Sequence, residues 1–196
     1  MFMFIFIFLS IFGATNSLKP RCIAELVELL NQERQSAVYF YQVANMRKLI
    51  YSTRLESDAL NATIPFMDFQ VRTSTEYPSP RSPTILHHQS LRIRPFIFDD
   101  AFNTWFEKLA RKVPNFDQTN PKILTREWKR RAPEYFQIIW PEAFEIGCVH
   151  VTRPDLHLFL ACSFDASPVI DQHIFETGPP CSKCPRGMRC DHGLCM

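Results

Sequence analysis

Outside its last sixteen residues the chain has almost no cysteine, and throughout it has little glycine. Of seven cysteines in 196 residues, four fall in the closing stretch CSKCPRGMRCDHGLC. Five glycines against fifteen prolines exclude long flexible linkers and point to rigid, irregular connections. An excess of charge of one sign is also missing. The net charge is +2 and no basic stripe is sustained, so nucleic acid is not implied as a partner. Neither G-x-S-x-G nor H-E-x-x-H occurs, which removes the usual local signatures of a serine hydrolase and a zinc protease. After residue 12 no apolar run is long enough to cross a bilayer.

What is present is ordinary for a globular protein. The 46% hydrophobic and 21% charged content fits one medium domain with small additions. The first residues, MFMFIFIFLSIFGATNS, bear on the compartment. Met1 to Phe12 has the length of a signal-peptide core, and small residues follow it. Thr15 and Ser17 suit the minus-three and minus-one positions of a cleavage site. No Lys or Arg precedes the run, which is off-pattern, and the bland alternatives are a buried N-terminal strand or an uncleaved anchor. The expected organisation is a leader over 1–17, a main domain over 18–176 and a cysteine-rich segment over 177–196. Export to an oxidising space then lets the cysteines pair.

Apolar residues recur at helical spacing from 23 to 50, through Ile23, Leu26, Leu29, Leu30, Ala37, Phe40, Tyr41 and Ala44, with Asn45-Met46 as a candidate end of the helix. A second helix is expected over 53–62. Asn61-Ala62-Thr63 is an N-glycosylation sequon. Three prolines within 70–84 predict a long loop. Residues 91–98 suit a strand or an extended entry. Asp99 or Asp100 then caps a helix carrying Ala101, Phe102, Trp105, Phe106, Leu109 and Val113, whose aromatic stripe reads as core. After a loop at 114–122, Lys129-Arg130-Arg131 reads as a solvated face. Pro133 suits a first helical position before Tyr135, Phe136, Ile139 and Trp140. The runs Ile146 to Thr152 and Leu156 to Phe164 flank Arg153-Pro154-Asp155 as a hairpin. Centring that turn on Asp155 places Cys148 opposite Cys162, close enough for a cross-strand disulfide.

The tail has too few apolar side chains for a core of its own, so covalent links are expected to hold it. Four cysteines allow three connectivities. A zinc site is the rival, since C-x-x-C followed by two more cysteines is also a metal pattern; an oxidising compartment argues against it. Cys22 is the odd cysteine, either free or joining two chains.

Read together, YFQIIWPEAFEIGC, LFLACSF and GPPCSKCPRGMRCDHGLC resemble the CAP superfamily, the SCP/TAPS or venom-allergen-like secreted proteins. Gln137, Ile138, Ile139 and Trp140 match the second half of that family's signature, and Ile146, Gly147 and Cys148 follow at its spacing. Ala101 with Trp105 and Phe106 fits its A-x-x-x-W-[YF] helix. Asn31 and Arg34 fit the H-N-x-x-R of its first helix. The resemblance covers most of 23–196, is most specific over 135–195 and is poor over 64–98. It implies an α+β fold, a three-layer α-β-α sandwich with a small disulfide-stapled C-terminal hinge. The family's habit also implies Cys181 paired with Cys190 and Cys184 with Cys195.

The family's cleft holds two His and usually two acids, and in some members the His bind a divalent metal. Carried over residue by residue, that set largely fails here. The His before the aromatic falls on Glu134 and the Thr on Phe136. One acid falls on Lys108, with Glu107 one position early, and the other His falls loosely on Asp68. The G-P-A-G-N after the second strand becomes Asp165 to Val169. His87-His88 reads as a surface pair on a loop rather than a metal pair. No cofactor, metal site or catalytic residue is therefore expected.

Three functions are weighed. The first is a secreted, non-enzymatic protein that binds an extracellular protein partner through its loops. The second is a carrier of a small lipid or sterol in an apolar groove. Eighteen phenylalanines are available to line one, although the usual fate of Phe is the core. The third is a hydrolase, for which Ser90 near His88 offers only proximity in sequence. The first is preferred.

Overall fold

In the computed structural model the described residues are 15–17, 20–67, 85–90, 123–152 and 158–196. The long first helix α1 spans Pro20–Tyr41. Leu26, Leu30, Arg34, Ala37 and Val38 form its buried stripe, with the spacing that puts them on one face. The helical pattern in the sequence runs on to 50, but the helix stops at Tyr41. Gln42 takes a left-handed conformation (φ 53°), and Val43 N–H donates back to Val38 O at 3.0 Å, which closes the helix as a Schellman turn. Met46 and Leu49 are buried all the same, in the irregular segment between α1 and Ile50. Phe40, expected on the apolar stripe, is 58% exposed, with its edge against Tyr41.

Helix α2 spans Thr53–Met67, five residues beyond the expected end at 62. Its face toward the sheet is Leu55, Ala59 and Thr63, at steps of four. Thr63 breaks the apolar pattern in the sequence. In the fold its hydroxyl donates to Leu60 O at 2.7 Å, so burial leaves it satisfied.

The sheet contains β1 (Thr15–Ser17), β2 (Ile50–Tyr51), β3 (Ile85–Ser90), β4 (Glu145–Thr152) and β5 (Leu158–Phe164). The order is β1-β4-β5-β3, with β2 parallel to β4 on the same edge as β1. β4 and β5 pair antiparallel with Cys148 opposite Cys162. β3 carries His87 and His88 opposite Ala161 and Leu160. The pair thus lies on a strand and not on a loop, since six residues of pairing to β5 decide the conformation, and that pairing is invisible to local sequence. The expected loops at 70–84 and 114–122, the extended run 91–98 and the helix carrying Trp105 lie outside the described residues.

Two layers cover the two faces. Val149 and Ala161 face α2, packing on Ala59 and Leu60. The alternate residues Ile146, Cys148, Leu160, Cys162 and Phe164 face the larger core with α1, Phe136 and Trp140. This is the three-layer α-β-α arrangement. Two short helices lead into β4. Helix α3 (Arg126–Arg131) is capped by the Thr125 hydroxyl, which accepts from Trp128 N–H at 3.1 Å. Helix α4 (Pro133–Ile138) begins on Pro133. Among the described residues no helix is long and apolar enough to cross a membrane.

The tail ends in a two-stranded ribbon, β6 (Cys190–Asp191) and β7 (Leu194–Cys195). It does contribute to a core: Leu194 is 3% exposed and belongs to the main hydrophobic cluster. The segment 42–48 receives it through backbone bonds. Cys195 N–H donates to Met46 O (2.7 Å), Lys48 N–H to Cys195 O (2.9 Å) and Lys183 N–H to Ala44 O (3.0 Å).

Candidate functional site

The polar residues that match the family, Asn31, Arg34 and Gln137, hold backbone. Arg34 is fully buried and, among the described residues, has no carboxylate in hydrogen-bond contact. Its guanidinium donates instead to five carbonyl oxygens: Arg47 (2.8 Å), Ile138 (2.6 Å), Trp140 (2.9 Å), Pro141 (3.4 Å) and Ala143 (2.9 Å). The planar fork suits this, because its N–H groups point in fixed directions at the turn between α4 and β4. Burial pulls its pKa down to about 9, which leaves it charged at neutral pH. Asn31, one turn earlier, donates to Leu49 O (3.0 Å) and accepts from Leu49 N–H (2.8 Å), as a paired strand residue would. Gln137 donates to Ala166 O at 2.7 Å. Trp140 is 2% exposed in the core, with its indole N–H unpartnered.

Two positions missed in the sequence do similar work. Asp165 Oδ1 accepts from Phe144 and Glu145 N–H, at 2.9 and 3.0 Å, and so fixes the entry of β4. The Tyr51 hydroxyl lies within hydrogen-bond distance of two acceptors for its one proton, Cys148 O (3.0 Å) and Glu56 Oε2 (2.9 Å). Burial and the Glu56 carboxylate hold its pKa well above the usual phenol range. A carboxylate one residue past a strand is a weak signal for Asp165; Tyr51 gives none.

The positions matched to the family's cleft behave differently. Glu134 stands half-buried in the first turn of α4. Asp68 and Lys108 lie outside the described residues, as do the side chains of His87 and His88. Beside Glu134, the Tyr135 and Tyr41 hydroxyls meet at 3.1 Å, and the Tyr41 ring stacks on Phe175 with centroids 5.5 Å apart. Burial, then Tyr41, pushes the Tyr135 phenol upward, and burial alone raises Glu33. A phenol pair against an aromatic ring is packing with a polar seam.

Among the described residues the one grouping with metal-ligand spacing is Cys181, Cys184 and Cys195. Those sulfurs are committed to disulfides: Cys181 to Cys190 and Cys184 to Cys195, with Cys148 joined to Cys162 across the hairpin. Cys22 is the free cysteine, half-buried near the start of α1. Asn61 is exposed on α2, whereas Thr63 of the same sequon is 1% exposed.

This architecture defines a class, and the comparisons agree with it. The model of the Cysteine-rich secretory protein family, CAP, matches residues 27–164, well over half of the chain, and the chain belongs to that family. Mouse glioma pathogenesis-related protein 1 is 23% identical over 101 residues, covering 52% of this chain and 36% of the relative. Scoloptoxin SSD346 of Scolopendra dehaani is 28% identical over 100 residues, covering 48% and 44%. The chain thus spans less than half the length of these curated relatives. Among solved structures, a hookworm platelet inhibitor superposes with TM-score 0.74 at 19% identity, covering 95% of this chain and 96% of that one. The protein NaASP2, solved with Zn2+, superposes at 0.70 and 23% identity, covering 94% and 100%. Likenesses at that identity speak for the fold alone.

Proposed function

We propose that this chain is an exported CAP-domain protein that acts by binding an extracellular protein, not by catalysis. The observation that carries the reading is the division between retained and replaced residues. Asn31, Arg34, Gln137 and the cysteines that match the family maintain the scaffold. The positions matched to the cleft carry Glu134, Lys108 and Asp68, which do not make an imidazole site. A rigid scaffold with variable loops is suited to recognition. One structural neighbour bears the name platelet inhibitor, which is in keeping with action on a partner.

In this reading the apolar run 1–12 belongs to an export leader, residues up to 176 form the binding domain and 177–196 form its stapled hinge. Asn61, exposed on α2, is the position for a glycan, added before Thr63 is buried by folding.

The test begins with calorimetry of the purified, oxidised chain with zinc chloride, then equilibrium binding of the labelled chain to cells. No zinc binding and a saturable, protease-sensitive cell site support the reading. Micromolar zinc affinity, or a site that survives protease and is competed by lipid vesicles, overturns it. Native mass spectrometry after extraction from cells tests the lipid-carrier alternative: a co-purified lipid or sterol in the chain supports it, an empty chain removes it.

A further inference from the structure

The outer edge of β4 can be followed residue by residue. Cys148 and Cys162 face each other with Cα atoms 4.1 Å apart, the short spacing of a non-hydrogen-bonded antiparallel pair. The N–H and C=O of Cys148 therefore point away from β5, toward the edge. The contacts there agree: Cys148 O accepts from the Tyr51 hydroxyl, and Ile146 O accepts from Ser52 N–H at 2.8 Å. Alternation along a strand then sends the peptide groups of His150 to the same edge. Asn16 of β1 lies opposite His150, between the pairs Thr15–Val151 and Ser17–Val149. Each outward-facing residue of β4 from 146 to 150 thus has its own partner: β2, the Tyr51 hydroxyl and β1 in turn. Only two residues separate β1 from the start of α1.

The small residues at Thr15 and Ser17 favour, by sequence alone, a leader cut after Ser17, which would discard this strand. We propose instead that Thr15–Ser17 stays with the mature protein as an edge strand and that the leader is hydrolysed on the amino side of Thr15, after Gly13 or Ala14. This rests on the reading that 1–12 is an export leader. Gly13 and Ala14 each supply the small residue that a signal peptidase needs before the cut, although minus three is then Ile11 or Phe12. Water adds across that peptide bond, leaving a carboxylate on the leader and a free α-amino group one or two residues ahead of Asn16. An edge closed by the chain's own strand also leaves no open template for pairing with another chain.

The test expresses the full chain with its own leader in a secretory eukaryotic cell and reads the N-terminus of the released protein by intact mass and sequencing. A start at Ala14 or Thr15 supports the proposal. A start at Leu18 or later overturns it while the leader reading stands. A start at Met1 overturns both. Independently, hydrogen exchange is compared between chains beginning at Ala14 and at Leu18. The His150 amide is expected to exchange at least tenfold faster in the shorter chain, with Val149 and Val151, which bond to β5, unchanged. Equal His150 rates in the two chains overturn the strand's role.

Discussion

The centre of the sheet and the C-terminal tail are both held by disulfides, yet the staples do different work. At Cys148–Cys162 the bridge crosses two strands that already share a register over seven residue pairs and lie between two helical layers. It closes a short loop in a region that packing alone would order. In the tail, two bridges tie residues 181–195 into a segment whose backbone is irregular, with positive φ at Cys181, Gly187, His192 and Gly193. There the covalent links set the shape, and a few contacts set the docking: Leu194, the backbone bonds to Met46 and Lys48, and the Lys48–Asp191 ion pair at 2.5 Å. Gly193 is needed where the tail meets α1. Its φ is 87°, and a Cβ there would stand 3.3 Å from Val38 and Tyr39. The lesson is that a disulfide-rich segment can still depend on the main core for its position.

The strongest way to break the comparison acts on the side of the core. Arg34→Met removes the guanidinium donor from five carbonyl oxygens, of which Trp140 O and Pro141 O also accept a backbone N–H, and is expected to cost about 3–5 kcal/mol through the buried acceptors left unpaired. Urea denaturation checks this, and Arg34→Lys should recover only part, because an ammonium cannot span the same five acceptors. The double change Cys148→Ser with Cys162→Ser should cost about 3 kcal/mol through the freed loop, with the sheet register intact by amide exchange. A loss of register would show that the staple, not packing, holds the centre.

Leu194→Ala should cost about 2–3 kcal/mol and, unlike the change at Arg34, should loosen the tail selectively in limited proteolysis. If the tail resists protease as before, its bridges alone position it. Tyr51→Phe should cost about 1–2 kcal/mol, from one hydroxyl that bonds both Cys148 and Glu56. The smallest effect concerns pH. Hydrogen bonds from Lys48, then from His192, lower the Asp191 pKa below its ordinary 3.8. The folded carboxyl therefore binds its proton less readily than the unfolded one. Its contribution is complete above that value and is lost as pH falls below it. Amide exchange at Arg189 and Cys195 should quicken in that acid range, and an Asp191→Asn chain should show no such dependence.

The parts of the fold legible in the sequence were those fixed by local pattern. Leu26, Leu30 and Ala37 mark α1 by their spacing, Pro133 starts α4, and the two apolar runs around Arg153-Pro154-Asp155 define the hairpin that opposes Cys148 and Cys162. The match of Gln137, Trp140, Ile146, Gly147 and Cys148 to a family signature carried the three-layer fold. Gly147 shows why that glycine matters: a Cβ there would overlap the backbone of Leu55 and Glu56 at the start of α2.

Other features were settled only by tertiary structure, since each depends on atoms distant along the chain. The end of α1 at Tyr41 goes with the seat that 42–48 makes for the tail through its backbone bonds, beyond the reach of a helical period. Arg34 matches a family motif in the sequence, but its role is visible only where the carbonyls of residues 138–143 close around it, more than a hundred positions away. The strand at 85–90 exists because β5 offers its edge. Leu194 looks like a stray apolar residue in a polar tail until it meets the main core. The sequence by itself determined which residues were available for a helix, a turn or a bridge. Long-range packing and hydrogen bonding decided which of them hold the scaffold together, because the free energy of burying a polar group depends on partners that only the folded chain brings near.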